Sequence, residues 1–113
     1  MIEVKGEALP LSPNQGLGLS LILHELGTNA AKYGALSHDK GPVHVSWRVA
    51  DSDQGRRVRL RWEERGGPPI EAPGKRGFGL RLIERACTQE LKGQVELDCM
   101  GEGLRCEIAF PLG

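Results

Sequence analysis

Between Pro13 and Tyr33 the apolar residues return every three or four positions, at Leu19, Ile22, Leu23, Leu26, Ala30 and Tyr33. At about 100° per residue they fall into a stripe roughly 100° wide, which predicts a long helix lying on a core. Ser12 suits its cap, Pro13 its first turn and Gly34 its stop. Further along the chain the period drops to two. Val43, Val45, Trp47 and Val49 alternate with His44, Ser46 and Arg48, and Val58, Leu60 and Trp62 alternate with Arg57, Arg59 and Arg61. Two antiparallel strands are predicted, joined by a turn over Asp51 to Gly55.

The remaining segments complete the layout. Ile2 to Leu11 alternates weakly around Gly6, as a short extended segment or hairpin would. Gly66 to Gly77 is a loop rich in Gly and Pro with no period. A helix opens near Gly79 and sets Leu80, Ile83, Ala86, Cys87 and Leu91 inward. Two last strands, about Gln94 to Met100 and Leu104 to Pro111, flank the turn Gly101-Glu102-Gly103. The order implies an α/β two-layer sandwich, with helices on one face of a mixed, mainly antiparallel sheet. With neither a repeat nor a linker, residues 1–113 are expected to form a single domain.

Composition narrows the function classes. Fifteen basic and fifteen acidic residues cancel, so no global charge draws the chain to nucleic acid or membrane. The sheet face away from the helices is expected to show Arg48, Arg57, Arg59, Arg61, Glu96, Asp98, Arg105 and Glu107. Their mixed signs, without interleaved aromatics, favour a solvated face over a nucleic-acid stripe. The apolar run from Leu17 to Leu23 is too short to span a bilayer. Cys87, Cys99 and Cys106 lack metal-ligand spacing and read as buried free thiols of a reducing cytoplasm.

Three segments carry candidate chemistry. Glu25, Asn29 and Lys32 fall within an arc of roughly 60° on the long helix, beside its apolar stripe. Such a stripe fits a pocket wall, in which an amide oxygen holds a hard cation, an ammonium meets phosphate and a carboxylate takes a proton. The same spacing also fits a solvated helix face. Glu64 shares the parity of Val58, Leu60 and Trp62, which aims it inward at a strand end, where a carboxylate suits an exocyclic amine; fraying into solvent is the alternative. Gly77-Phe78-Gly79 opens a helix and could cradle phosphate on backbone N–H groups, with Lys75 and Arg76 nearby in a lid, or could be a simple flexible turn.

Together these segments resemble the ATP-binding domain of sensor histidine kinases, with the Bergerat fold shared with gyrase. His24 to Ser37 resembles the N box, Trp62 to Pro69 the first glycine box and Gly77 to Glu84 the second. His24, Trp62 and Glu64 match the residues for which the HWE subfamily is named. The resemblance implies that Asn29 coordinates Mg²⁺, Lys32 contacts phosphate and Tyr33 lies against the nucleotide. Glu25 would be the catalytic carboxylate and Glu64 the reader of the adenine amine. Gly66, Gly67, Lys75, Arg76, Gly77, Phe78, Gly79 and Leu80 would complete the nucleotide site. His24 lies about 100° from Glu25 and reads as a supporting residue rather than a phosphoacceptor. Leu80 departs from the Thr found in many HWE members, and the usual Asp-x-Gly-x-Gly pattern is replaced by Glu64-Arg65-Gly66-Gly67-Pro68.

The expected activity is transfer of the ATP γ-phosphoryl, with Mg²⁺, to a histidine on a separate dimerisation domain of the same parent kinase. A response regulator would act downstream, and the domain would be cytoplasmic, touching neither nucleic acid nor membrane. No hairpin bearing an acceptor histidine is recognised, so the chain is expected to be a kinase fragment that does not autophosphorylate alone. The alternatives are a free-standing ATPase or serine protein kinase of the same fold, and a non-catalytic nucleotide-sensing module.

Overall fold

A computed structural model describes residues 2–6, 8–33, 43–53, 55–64, 80–99 and 104–112. The elements run β1 (Ile2–Lys5), α1 (Pro13–Tyr33), β2 (Val43–Ser52), β3 (Gly55–Glu64), α2 (Leu80–Arg85), β4 (Gln94–Cys99) and β5 (Leu104–Pro111). Directly after α2 the helix widens into a π-helical segment, Ala86–Leu91. The five strands form one sheet in the order β1-β2-β3-β5-β4. β1 pairs parallel with β2, and every other pairing is antiparallel. Among the described residues helices cover one face only, so the expected two-layer sandwich with a mixed sheet is the architecture found.

The start of α1 is set by reciprocal side-chain bonds. Ser12 Oγ accepts from the Gln15 backbone N–H at 3.2 Å, and Gln15 Oε1 accepts from the Ser12 N–H at 3.3 Å. This capping box satisfies donors that the first turn leaves unpaired. Gln15 Nε2 also donates to the Pro111 carbonyl at 2.7 Å, tying the helix start to the end of β5. The apolar stripe then buries Ile22, Leu26 and Ala30 fully and packs Leu19 and Leu23 against the core. Beneath it lie the inward residues of the strands, among them Val43, Val45, Val58, Leu60, Trp62, Cys106, Ile108 and Phe110.

Three features differ from the sequence reading. The expected five-residue turn over Asp51 to Gly55 is tighter: the ladder continues through Asp51↔Arg56 and Ser52↔Gly55. Gly55 supplies the positive φ of 101° that the return needs, and Ser52 Oγ donates to its carbonyl. Residues 2–5 form a strand, the extended segment of the two alternatives, but its partner is β2, about forty residues on, which the sequence reading did not name. The second helix does not stay α-helical beyond Arg85, yet Ile83, Ala86, Cys87 and Leu91 are all buried as expected. Gly18 of α1 faces this π segment closely, since a Cβ there would press on the Glu90 side chain.

Candidate functional site

α1 carries the first wall. Asn29 is 3% exposed. On the helical wheel it lies about 20° outside the apolar stripe, which explains a buried polar residue at this position. Its Nδ2 donates to the Glu25 carbonyl one turn back at 2.8 Å. That bond commits the NH₂ end to the helix and leaves Oδ1 as the other end of the amide. Among the described residues nothing donates to that oxygen. Glu25, one turn earlier on the same face, is half-buried and has a polar partner of its own. Lys32 and Tyr33 lie on the last turn of α1, their side chains outside the described structure. His24 is exposed, on a different face of the helix.

The end of β3 carries the second wall. Parity along the strand sends Val58, Leu60, Trp62 and Glu64 to the covered face, and all four are buried. Glu64 is 2% exposed, opposite Val43 in the last rung of the β2–β3 ladder. It does not fray. Trp62 Nε1 donates to Glu64 Oε2 at 2.9 Å, a buried side-chain bond between residues two apart on one strand face. An indole N–H can only donate, so it fixes Oε2 as acceptor. The sequence reading placed both residues inward without pairing them, although a spacing of about 7 Å on one face is within reach of two long side chains.

The Trp62 ring lies against α1 at Gly27, where a Cβ would stand 3.9 Å from its Cη2. Gly27 lies between Glu25 and Asn29 in the chain, so the Trp62 ring meets α1 within one helical turn of both. Cys106 pairs with Trp62 across the ladder. Burial pushes its thiol up to about 12, with Cys87, Glu107 and Glu64 each adding to the rise. Burial alone raises Cys87 to about 11. Both are buried free thiols, as expected. The first glycine box after Glu64 (Gly66, Gly67), the lid residues Lys75 and Arg76, and Gly77, Phe78 and Gly79 lie outside the described residues. Leu80 begins α2 with its side chain likewise outside them.

No protein-family model matches the chain. It is 40% identical over 111 residues to the blue-light-activated histidine kinase of Brucella anthropi, covering 98% of this chain and 23% of that protein. The chain is homologous to a segment of histidine kinases. Among solved structures, the histidine kinase domain of the Erythrobacter litoralis blue-light-activated histidine kinase superposes with a TM-score of 0.74 at 20% identity. That match covers 98% of this chain and 54% of the other. The catalytic domain of histidine kinase ThkA superposes with a TM-score of 0.69 at 14% identity, over 98% of this chain and 78% of the other. The fold is therefore that of histidine kinase catalytic domains, and the chain spans 23% of the length of the Brucella anthropi relative. Among the described residues no helix is long and apolar enough to cross a membrane, and no cluster of His, Cys, Asp and Glu could hold a metal ion.

Proposed function

We propose that the chain is the ATP- and Mg²⁺-binding catalytic domain of a two-component histidine kinase of the HWE type. It would pass the γ-phosphoryl to a histidine on a separate dimerisation domain of the same parent. The observation that carries this reading is the pairing of Trp62 with a buried Glu64 at a strand end, together with a buried Asn29 on α1. A buried carboxylate and a buried carboxamide are costly unless paired, and here the Trp62 indole holds the one and the Glu25 carbonyl the other.

In this reading Glu64 accepts the exocyclic amine of adenine, while Trp62 sets the carboxylate's rotamer. Asn29 fits a hard cation, because a neutral amide oxygen is the kind of donor Mg²⁺ accepts alongside water and phosphate oxygens. Bound there, Mg²⁺ would neutralise phosphate charge during transfer. Glu25 stands one turn before Asn29 and would orient the attacking imidazole or take its proton. Lys32, Lys75 and Arg76 would meet phosphate. Gly66, Gly67, Gly77 and Gly79 would admit the nucleotide close to the backbone, with Tyr33, Phe78 and Leu80 against it. Most of the acceleration would come from positioning, as phosphoryl transfer demands. The acceptor histidine and a response regulator would be partners of this cytoplasmic domain, which alone would bind ATP without phosphorylating itself.

The test is a calorimetric titration with Mg-ATP and with Mg-triphosphate on the wild-type chain and on Glu64→Ala. ATP affinity should fall and triphosphate affinity should hold. Equal weakening of both would remove Glu64 from adenine recognition. Adding a dimerisation domain and γ-labelled ATP then separates a kinase from a nucleotide sensor, which would bind and transfer nothing.

A further inference from the structure

The sheet face without helices has a charge pattern that follows from register. At the Glu64 end, one row across the strands holds Glu63, Arg105 and Asp98, and the next holds Arg61, Glu107 and Glu96. In these rows each arginine meets a carboxylate, although Glu96 also stands opposite Glu107: Arg61 Nη2 lies 2.8 Å from Glu107 Oε1, and Arg105 Nη2 lies 3.6 Å from Asp98 Oδ2. At the other end Arg48 stands directly opposite Arg59, and Arg57 follows in the next row opposite Ala50. Among the described residues no carboxylate comes within ion-pairing distance of these three arginines. Like charges directly across a ladder destabilise a sheet, so the Arg48–Arg59 rung costs the fold something. This face also bears a cavity of about 510 Å³, lined by Ser46, Arg48, Arg59, Arg61, Glu96 and Glu107 among others.

We propose that the Arg48, Arg59 and Arg57 end of this face docks an acidic helix of a protein partner. Charge complementarity selects the occupant: three unpaired guanidinium groups on rigid strands call for carboxylates. Spacing selects a helix. The arginines are about 5 Å apart across the rung and about 7 Å apart along β3, which brackets the separation of side chains at i and i+4 on a helix. A helix laid over an open sheet face also repeats the layering of the opposite side. Nucleic acid fits less well, because the cationic area ends after two rows and its continuation is acidic. The surface lies on the face opposite Glu64 and Asn29, so it stands independently of the nucleotide reading.

The probe is a short alanine-based helical peptide with glutamates at i, i+4 and i+7, followed by fluorescence anisotropy at low salt. A peptide of the same composition with glutamates scattered around the helix, and a short duplex DNA, serve as comparisons. The striped peptide should bind best, and the Arg48→Gln/Arg59→Gln double variant should lose about tenfold in affinity, the scale of two partly exposed charge contacts. Its melting temperature should stay level or rise, because a repulsive rung has gone. Arg85→Gln, on α2, should bind like wild type. The proposal falls if the wild-type chain ignores the striped peptide, if the double variant binds it unchanged, if the scattered peptide binds equally, or if DNA binds more tightly through the same arginines.

Discussion

The two ends of α1 each bury a polar side chain, and they differ in how those groups are used. At the first turn Gln15 is 4% exposed, and both ends of its amide are committed to the backbone, Oε1 to Ser12 and Nε2 to Pro111. Near the last turns Asn29 is as deeply buried, yet among the described residues only its nitrogen is committed. Burial alone does not separate a structural polar residue from one that meets a ligand. The number of hydrogen-bonding positions left over does.

The most severe trial of that contrast is Asn29→Ala. Mg-dependent ATP affinity should fall on the order of 100-fold, as loss of a metal-site group does, while unfolding free energy changes by no more than about 1 kcal/mol. Unchanged affinity in a calorimetric titration would erase the distinction. Trp62→Phe keeps the ring and removes the donor, so the Glu64 carboxylate loses a buried bond; urea unfolding should show a loss of about 2 kcal/mol. ATP binding should weaken with it, and intact binding would mean that the indole does not set the carboxylate. Gln15→Ala should cost about 1 kcal/mol through the cap and the Pro111 link, with nucleotide affinity untouched. A drop in affinity there would show that the two ends of α1 are coupled.

The smallest effect concerns pH. The folded Cys87 and Cys106 thiols sit at about 11 and about 12, above the ordinary value of 9.0. The unfolded chain therefore loses these protons first as pH rises. Their contribution to stability is complete below pH 9.0 and is lost as pH climbs toward 11 and 12. Alkylation at pH 8 followed by mass spectrometry should leave both unmodified in the folded chain and label them after denaturation. Labelling of either in the native state would show that this part of the core opens.

Much of this was legible because period and parity are local. Alternation from Val43 and from Val58 located β2 and β3, and parity alone sent Glu64 inward beside Trp62. The stripe from Leu19 to Ala30 located α1 and its buried face. What stayed hidden depends on register or on distant partners. β1 pairs with a strand about forty residues away, which nothing between Ile2 and Lys5 announces. The Arg48–Arg59 rung follows only once the hairpin is known to turn tightly between Ser52 and Gly55; a five-residue turn shifts every pair. The Trp62–Glu64 bond was within reach of the same parity argument and needed only the question of what the indole N–H does.

The π segment has a consequence for how this chain tolerates change in length. Ile83 and Cys87 are four residues apart, as are Cys87 and Leu91, and all three are buried. In an uninterrupted α-helix each such step drifts by about 40°, so the third residue would swing away from the sheet. The wider turn after Arg85 cancels that drift and sets the rotational phase of α2. Thr88 and Gln89 are exposed, and substitutions there should pass unnoticed. Deleting one of them would let the segment wind as plain α-helix, with Ile83, Cys87 and the present Leu91 at i, i+4 and i+7, within about 60° on one face. In this stretch the π turn absorbs one residue more than the buried stripe needs.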